Sequence, residues 1–405
     1  MKGLSNIALS VRASATLAVD SLAKQMRSEG LDVIGFGAGE PDVDTPDNIK
    51  EAARAAIDAG MTKYTSSAGI IELRRAVAER LRADFGVSYE PGQIVVASGA
   101  KHSVYIALMT LLNPGDEVII PSPYWVTYTE AVRMAYGVPV IVETTRADGF
   151  KLDPKSLEAA ITAETKLIII NNPSNPTGTL YSVNELRALA KVCARHDLYI
   201  LADEIYSSLV YGGKKFVSVA SLGGDIKERT ILINGLSKSY SMTGWRIGYS
   251  ATNSGIAGVM ESYLSHSTFA PSTISQYAAL KALTGSQDSR EAMRSEFERR
   301  RDYAVARIDA IDGISCVKPD GAFYIMINID KQLGRTLGGR TIRSGDDFAL
   351  SLLKNELVAM VSGSGFGAPN YIRLTYAASM DEIARGLDRL ERFVSGGAAA
   401  KAPEA

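Results

Sequence analysis

The amino-acid sequence predicts an α/β protein in which a mostly parallel sheet of seven strands lies between helices. Short apolar runs recur along the chain, and helix-like segments separate them. Most of these runs are continuous in Val, Ile and Leu rather than alternating, as expected for strands covered on both faces. The repeated order of strand and helix is typical of a parallel α/β sheet.

Seven apolar runs are predicted to be buried strands of this sheet. They are QIVVAS (93–98), DEVIIP (116–121), VPVIVE (138–143), KLIIIN (166–171), LYILAD (198–203), RTILIN (229–234) and RIGYSA (246–251). The segment NELRALAKVCARH (184–196) lies between two of them and has the apolar spacing of an amphipathic helix.

The C-terminal third of the chain changes character. A long, charged, amphipathic helix is predicted at 290–311, and short strand-like runs and a last helix follow it. We therefore predict a large domain at 46–290 and a smaller α+β domain from the two flanking segments, 1–45 and 291–393. The tail, 394–405, is rich in small residues and has no pattern, so we expect it to be disordered.

The composition argues against several classes of protein. Lys and Arg number 44 against 45 Asp and Glu, a balance that gives no electrostatic reason to expect nucleic acid or an anionic membrane as partner. Two cysteines, Cys193 and Cys316, are too few for a disulfide framework and indicate a reducing compartment. The three histidines are widely separated, so no metal site is expected. Without a signal peptide or a bilayer-length apolar run, the expected location is the cytoplasm.

One glycine-rich stretch resembles a nucleotide-binding motif only superficially. VSGSGFGA places Gly363, Gly365 and Ala368 in the spacing G-x-G-x-x-A after a predicted strand. A dinucleotide site needs a helix to begin there, so that its N-terminus faces the pyrophosphate. Pro369 and Asn370 lead instead into another strand, and we therefore predict no nicotinamide cofactor.

The stretch GLSKSYSMTGWRIGY (235–249) carries a lone lysine, Lys238, in a run of small and hydroxyl residues, with Arg246 eight positions later. A lysine amine is protonated at neutral pH and becomes a nucleophile only when it is desolvated or lies near other cations. Such an amine suits pyridoxal phosphate, whose aldehyde forms a Schiff base with lysine and whose ring then accepts electrons. The site would also need a carboxylate for the ring nitrogen, a donor for the ring hydroxyl, a phosphate cradle and a platform for the ring.

The sequence offers a candidate for each of these needs. Asp203 ends a predicted strand, where α/β sheets place ligand groups, although aspartate also favours helix caps. Tyr206 follows it, although a lone tyrosine more often belongs to the core or the surface. Asn175 follows the strand KLIIIN in a segment whose Asn, Pro and Gly residues also favour a turn. Trp125, in SPYW, could stack on a flat ring or belong to the core.

A phosphate cradle is predicted where the strand QIVVAS turns into a helix. The turn SGAK brings the backbone N–H groups of Gly99 and Ala100 to the start of that helix, a natural anion site. Ser237 can donate one hydrogen bond and Arg246 can grip a phosphate with two. Strand-to-helix turns are common, so this pattern indicates a phosphate only in combination with the lysine stretch.

Taken in order, these residues resemble a known family. GLSKSYSMTGWRIG is similar to the cofactor-lysine signature of class I and II aminotransferases, which are pyridoxal-phosphate enzymes of fold type I. AGEPDVDTPDNI, TKYTSSAGIIELR, SPYW, NNPSNPTG, DEIY and GAFY also resemble that family, in the same order. The resemblance spans about residues 5 to 395 and is strongest to the bacterial aspartate aminotransferase subgroup. It implies that the large domain, 46–290, binds the cofactor.

The resemblance implies a role for each cofactor-site residue. Lys238 would form the Schiff base and move the proton, Asp203 would pair with the pyridinium nitrogen, and these two with Tyr206 would be the catalytic residues. The remaining cofactor contacts implied are Asn175 at the ring hydroxyl, Trp125 stacked on the ring, Gly99, Ala100, Ser237 and Arg246 at the phosphate, and Lys101 beside them. Tyr64 would reach the phosphate of the neighbouring subunit, so a homodimer with shared sites is expected.

The resemblance also implies how the substrate is held. Arg373 would bind the α-carboxylate with help from Gly39, and Trp125 and Asn175 would contact the substrate as well. Lys101, Ser14 and Thr16 would contact the distal carboxylate of an acidic substrate. The chain departs from the family pattern at Ser66 and Val43, where Pro and Phe are usual, and we find no counterpart of the second substrate arginine of the animal and enteric branch.

These residues predict a ping-pong aminotransferase that moves an amino group from an L-amino acid, aspartate first among them, to 2-oxoglutarate. Aromatic amino acids or prephenate on the same scaffold, or a lyase reaction, remain alternatives. A non-catalytic, cofactor-binding regulatory domain is a further alternative, but it would need a DNA-binding segment for which the N-terminus has no room and the charge gives no support.

Overall fold

A computed structural model of the chain describes residues 3–11 and 15–396, without the side chains of 15–20. Its α-helices are α1 (Asn6–Ser10), α2 (Ala15–Ser28), α3 (Asp47–Asp58), α4 (Ile71–Phe85), α5 (Ala100–Leu111), α6 (Thr127–Met134), α7 (Pro154–Ala160), α8 (Val183–Arg195), α9 (Gly224–Glu228), α10 (Ser254–Ser265), α11 (Thr273–Thr284), α12 (Asp288–Ala310), α13 (Gly345–Glu356) and α14 (Met380–Ser395). Its strands are β1 (Ile34–Gly35), β2 (Ile94–Ala97), β3 (Glu117–Ser122), β4 (Val138–Glu143), β5 (Thr165–Asn171), β6 (Tyr199–Asp203), β7 (Thr230–Gly235), β8 (Gly248–Ala251), β9 (Ser315–Cys316), β10 (Tyr324–Asn328), β11 (Thr336–Leu337), β12 (Arg340–Thr341), β13 (Val358–Ala359), β14 (Val361–Ser362) and β15 (Tyr371–Thr375).

The seven predicted strands form one seven-stranded sheet, in the order β2-β8-β7-β6-β5-β3-β4. The pairs from β7 to β4 are parallel, whereas β8 runs antiparallel to both β2 and β7. The prediction of a mostly parallel sheet is therefore confirmed.

Helices cover this sheet on both faces, as the continuous apolar strands predict. Neighbouring residues of β6 show the two faces, because Ile200 packs with the helices α7 and α8 while Leu201 packs with α5, α6 and α10. Both side chains are fully buried. Burial of alternate residues on opposite faces leaves the strand no polar side and explains its continuous apolar sequence.

Strand β4 is not buried, so the prediction that all seven strands are buried is wrong for this strand. It lies at the edge of the sheet and pairs only with β3. Its residues Val138 and Ile141 are 45% and 40% exposed. An apolar run does not reveal whether its strand is central or at an edge, because that depends on which strands pair.

A second, four-stranded sheet has the order β14-β15-β10-β9 and carries the C-terminal residues. Helices α12, α13 and α14 pack with it around one apolar core. The short strand β1 pairs in parallel with β13, so this N-terminal segment joins the C-terminal part of the chain. The predicted helix at 290–311 is α12, and the division into domains at 46 and 290 stays a prediction.

Two further expectations concern the C-terminal segment. Residues Gly363–Phe366 form a short 3₁₀ turn and β15 follows, so no α-helix begins at the glycine-rich VSGSGFGA. Helix α14 extends to Ser395, past the predicted start of the tail, and 397–405 lie outside the described residues. Among the helices of the described residues, none is long and apolar enough to cross a bilayer.

Candidate active site

A cavity of about 400 Å³ opens beside the carboxyl ends of strands β5, β6 and β7. This is where an open α/β sheet places its ligands, because the strand ends and the helix starts meet there. Eleven of the residues predicted for the site line the cavity: Gly39, Ala100, Lys101, Trp125, Asn175, Asp203, Tyr206, Ser237, Lys238, Arg246 and Arg373. Tertiary structure thus gathers residues that are spread over more than 300 positions of the chain.

Lys238 lies just after β7, and its amine donates a hydrogen bond to the carbonyl oxygen of Gly39. Burial lowers the pKa of Lys238 to about 8, a change that Glu40 opposes and Arg246 reinforces. Desolvation favours the neutral form of an amine, and a neighbouring cation does the same. Roughly a tenth of Lys238 is therefore unprotonated, and nucleophilic, at pH 7.

Asp203 ends β6 and is only 3% exposed. Its carboxylate accepts a hydrogen bond from the Tyr128 hydroxyl at 2.6 Å and another from the backbone N–H of Ile205 at 3.2 Å. Burial raises the pKa of Asp203 to about 6, although the Tyr128 hydrogen bond opposes that rise. At pH 7 the group is mostly a carboxylate, buried and ready to pair with a cation.

The next residue, Glu204, has a different environment although it is also fully buried. Its Oε1 accepts from the Ser218 hydroxyl and from the backbone N–H of Val219, both at 2.9 Å. Burial raises the pKa of Glu204 to about 8, so this acid is mostly neutral at pH 7. Glu204 does not line the cavity, whereas Asp203 does, together with Glu40.

Arg373, on β15, is a buried cation that is only 3% exposed. Its Nη1 donates to Asn175 Oδ1 at 3.0 Å and its Nη2 to the carbonyl oxygen of Gly37 at 2.9 Å. Among the described residues, no carboxylate forms an ion pair with it, and its Nε is buried without a hydrogen bond. A buried guanidinium that faces a cavity in this state is suited to a carboxylate ligand.

The predicted phosphate cradle has the geometry of an anion site. Helix α5 begins at Ala100, and its N-cap, Gly99, has φ +90° and no capping side chain. A Cβ on Gly99 would lie 2.5 Å from Nη2 of Arg246, so only glycine lets the turn and the guanidinium meet. Arg246 is held by the carbonyl oxygens of Thr243 at 2.9 Å and Ser98 at 3.3 Å. The first N–H groups of the helix and this cation together attract an anion.

Trp125 and Lys101 lie on one wall of the cavity. The Lys101 amine stands 5.1 Å above the centre of the Trp125 ring, and the ring meets Tyr128 edge-on at 5.3 Å. Burial, with a smaller contribution from Arg246, lowers the pKa of Lys101. Trp125 thus presents a fixed aromatic face, and Lys101 a second positive charge, to the same space.

Two of the remaining predicted residues, Tyr64 and Gly99, do not line this cavity. Tyr64 is 93% exposed and packs edge-on against Phe269 at 5.3 Å. Gly99 supports the cradle without lining the cavity. Ser14 lies outside the described residues, and Thr16 belongs to α2, where its side chain is not described. Gly39 does line the cavity, but it contacts Lys238 and not Arg373, whose backbone partner in this loop is Gly37.

Sequence reasoning missed two tyrosines of the site. Tyr128 binds Asp203, and its position three residues after Trp125, one helical turn away, was the available signal. Tyr324 lines the cavity and belongs to the motif GAFY, which we quoted only for the family resemblance.

The fold and the site define a class of enzyme. A lysine with a lowered pKa, a buried carboxylate at a strand end, an aromatic wall and a helix-start anion cradle match the needs of pyridoxal 5′-phosphate. The residues present therefore fit this cofactor, and the site belongs to a pyridoxal-phosphate-dependent enzyme.

Comparison with known families and proteins identifies the family. The sequence pattern of "Aminotransferase class I and II" matches residues 31–390. The chain is 48% identical over 381 residues to the aspartate aminotransferase of Bacillus subtilis, covering 94% of this chain and 96% of that protein. It is 45% identical over 398 residues to the aspartate/prephenate aminotransferase of Cereibacter sphaeroides, covering 98% and 100%.

Solved structures agree with this result. The aspartate aminotransferase of Rhizobium meliloti superposes with a TM-score of 0.94 at 41% identity, over 98% of this chain and all of that one. The Thermus thermophilus aspartate aminotransferase solved with maleate gives a TM-score of 0.91 at 41% identity, over 97% of this chain and all of that one. The chain belongs to the class I and II aminotransferase family, and it is a pyridoxal-phosphate-dependent aminotransferase.

Proposed function

We propose that this aminotransferase takes its amino group from aspartate and passes it to 2-oxoglutarate. One observation carries the proposal: besides Lys238 and Arg246, which the cofactor would use, two more cations without a carboxylate partner among the described residues, Arg373 and Lys101, line the same cavity. An amino acid with a second carboxylate satisfies both, whereas an apolar amino acid satisfies only one. Relatives named aspartate aminotransferase, and one of them solved with the dicarboxylate maleate, support the same choice.

Each end of the substrate would meet a different kind of cation. Arg373 is buried and fixed by Asn175 and Gly37, so it would bind the α-carboxylate in one orientation. Because Oδ1 of Asn175 accepts from Arg373, the amide NH₂ of Asn175 is left as a donor. Lys101 is more exposed and would contact the distal carboxylate as a mobile point charge.

The cofactor-site residues would act as follows. Pyridoxal phosphate, when bound, supplies an aldehyde for amines and a ring that accepts electrons. Asp203 would hold the ring nitrogen protonated, and Tyr206 with Asn175 would bind the ring hydroxyl. Trp125 would stack on the ring face. Ala100 at the start of α5, with Ser237, Arg246 and the supporting Gly99, would hold the phosphate.

Lys238 would also act as the proton carrier of the reaction. Its pKa of about 8 lets the amine both accept and donate a proton near neutral pH. The hydrogen bond to the Gly39 carbonyl holds the amine in the cavity. Proton transfer by a positioned amine contributes typically 10²- to 10⁴-fold to a rate. We expect Lys238→Ala to lose at least this factor.

We further propose that the active enzyme is a cytoplasmic homodimer with shared sites. Tyr64 is an almost fully exposed aromatic residue in the single chain. Contact with a second chain would bury its ring. Both cysteines are free thiols, as a reducing compartment favours.

Prephenate is a second candidate acceptor. A neighbouring cavity of about 690 Å³ shares Lys101 and Arg246 with the first and has Tyr105, Tyr124 and Met134 among its walls. It offers room and apolar contact for a ring beside the Lys101 charge. The relative from Cereibacter sphaeroides is named for both aspartate and prephenate.

Half-reactions test the donor and the acceptor. The cofactor spectrum would be followed in single turnovers with aspartate, glutamate and phenylalanine, and the amino form of the enzyme with 2-oxoglutarate and prephenate. Lys101→Gln should lower kcat/KM for aspartate on the order of tenfold, because a charged contact is lost, and leave phenylalanine almost unchanged. Equal losses for aspartate and phenylalanine, or a wild-type preference for phenylalanine, would contradict the dicarboxylate proposal.

A further inference from the structure

Tyr324 opens strand β10 and is fully buried, although its side chain has a polar end. Its hydroxyl lies 2.9 Å from the hydroxyl of Tyr206. On the other side, the guanidinium of Arg373 stacks over the Tyr324 ring at 4.4 Å. One side chain of the four-stranded sheet therefore touches both a proposed cofactor ligand and the proposed carboxylate ligand.

The same hydroxyl also meets the loop that holds Lys238. A Cβ on Gly39 would lie 2.9 Å from the Tyr324 hydroxyl oxygen, so the hydroxyl is packed directly against this glycine. The carbonyl oxygen of Gly39 accepts the hydrogen bond from Lys238. A larger residue at position 39 would push against the Tyr324 hydroxyl.

We propose that Tyr324 is a positioning residue that orients the Tyr206 hydroxyl towards the cofactor, an inference that rests on the proposed role of Tyr206. A tyrosine hydroxyl has one hydrogen to donate. If Tyr206 donates that hydrogen to the ring oxygen of the cofactor, its own oxygen accepts from Tyr324. The Tyr324 hydroxyl is the partner at the required distance.

This arrangement makes Tyr206 a better donor. A hydroxyl that accepts one hydrogen bond is polarised and donates the next one more strongly. A stronger donor stabilises the anionic form of the cofactor's ring oxygen and so lowers the pH at which the bound cofactor changes its visible absorption. The ring of Tyr324 has a separate role, because it stacks against the guanidinium of Arg373. That contact does not need the hydroxyl.

Substitutions separate the two tasks. Tyr324→Phe keeps the ring and removes the hydroxyl, so the pH midpoint of the cofactor absorption should rise by roughly 0.5–1, while KM for aspartate stays within about threefold. Tyr324→Leu also removes the ring and should raise KM for every amino donor further, since every donor carries an α-carboxylate.

A second readout needs no turnover. Binding of pyridoxal phosphate to the cofactor-free protein can be followed by the fluorescence of the two tryptophans, of which Trp125 lines the cavity. Tyr324→Phe should weaken this binding by roughly 2- to 10-fold, because a hydrogen bond that orders the Tyr206 donor is lost. An unchanged dissociation constant together with an unchanged pH midpoint would overturn the proposal.

Tyr376→Phe is the matched control, because Tyr376 is equally buried and its hydroxyl donates to the carbonyl oxygen of Ala322 at 3.1 Å, away from the cavity lining. It should lower the melting temperature and leave the pH midpoint alone. If the pH midpoint shifts equally in Tyr376→Phe, the effect of Tyr324→Phe is only structural and the proposal is overturned.

Tyr206→Phe distinguishes this inference from the function on which it rests. If Tyr206→Phe moves the midpoint and Tyr324→Phe does not, the role of Tyr206 stands and the inference about Tyr324 fails. If neither substitution moves it, Tyr206 does not bind the ring oxygen and both fail.

Discussion

At the scale of single residues, burial is the main cause of the changed pKa values in the site. Taking Lys238 out of water lowers the pKa of its amine to about 8, and taking Asp203 out of water raises the pKa of its carboxyl to about 6. Both changes bring the pKa values closer to 7. Lys238 must exchange a proton near that pH, whereas Asp203 must stay charged. The carboxylate keeps its charge largely because Tyr128 donates a hydrogen bond to it.

Tyr128→Phe tests that dependence. Loss of the 2.6 Å hydrogen bond should raise the pKa of Asp203, about 6 in the cofactor-free protein, by roughly one to two pH units. An acid with a raised pKa is ionised only at higher pH, so cofactor affinity and kcat/KM should fall most below pH 7 and recover towards pH 9. The measurement is the pH profile of both quantities.

Tyr181→Phe is the control for this pH profile. Tyr181 is also buried, but its hydroxyl accepts from the backbone N–H of Leu152 at 2.8 Å, whereas the Asp203 carboxylate accepts from the Tyr128 hydroxyl. Tyr181→Phe should lower the stability of the protein without changing the pH at which cofactor affinity and kcat/KM fall on the acid side. The role given to Tyr128 would be refuted by a variant whose profile superimposes on that of the wild type.

At the scale of elements, the junction between β2 and α5 has a conformation that only glycine adopts easily. Gly99 combines φ +90° with ψ 158°, and Arg246 fills the space that a side chain would need. This geometry leaves the first turn of α5 open to an anion on one side and braced by a cation on the other.

Gly99→Ala should therefore weaken both the fold and the phosphate site. The backbone conformation would cost on the order of 1–3 kcal/mol, and the new methyl group would displace Arg246. Gly115→Ala is the matched control, because Gly115 has a similar φ of +94° with no atom within 4 Å of a Cβ. Thermal unfolding should be affected in both variants, whereas affinity for pyridoxal phosphate should fall only for Gly99→Ala. A similar loss of affinity in both would show that strain, and not Arg246, is responsible.

At the scale of the whole molecule, the site depends on parts of the chain that meet only in the folded protein. The loop that carries Gly39 is tied to α12, where Arg300 pairs with Asp42 at 2.7 Å. The Asp42 carboxylate is a close neighbour in sequence of the Gly39 carbonyl that holds Lys238. Helix α12 thereby helps to set the position of a cofactor-site loop of the N-terminal segment.

The exposure of Tyr64 leads to a prediction about how two subunits share their sites. If each site uses Tyr64 from the other subunit, Lys238→Ala and Tyr64→Ala defects should complement each other when the two inactive variants are mixed and allowed to exchange subunits. One site of each mixed dimer would then have an intact lysine and an intact tyrosine. Activity at limiting cofactor should rise on mixing, in proportion to the mixed dimers seen by mass spectrometry.

The same mixture with a double variant, Lys238→Ala and Tyr64→Ala in one chain, is the control and should recover nothing when mixed with either single variant. Mixed dimers without recovered activity would mean that Tyr64 serves its own chain or no site at all.

Much of the fold was predictable because the signals are local. Continuous apolar runs locate all seven strands of the main sheet, and the alternation with helices predicts their mostly parallel arrangement. The antiparallel direction of β8 and the exposed edge at β4 were not predictable in this way. Pairing partners depend on the packing of whole elements, and a run of apolar residues has the same local preference in the centre of a sheet and at its edge.

The sequence by itself determined the cofactor chemistry, since Lys238, its flanking Ser237 and Arg246, and the strand-end Asp203 lie in recognisable local patterns. Only the tertiary structure decided which groups assist them. Tyr128 meets Asp203 across 75 positions, Asn175 meets Arg373 across 198, and Lys238 meets Gly39 across 199. Such contacts arise when two sheets and their helices pack around one cavity, and no local propensity specifies which distant side chains that packing will bring together.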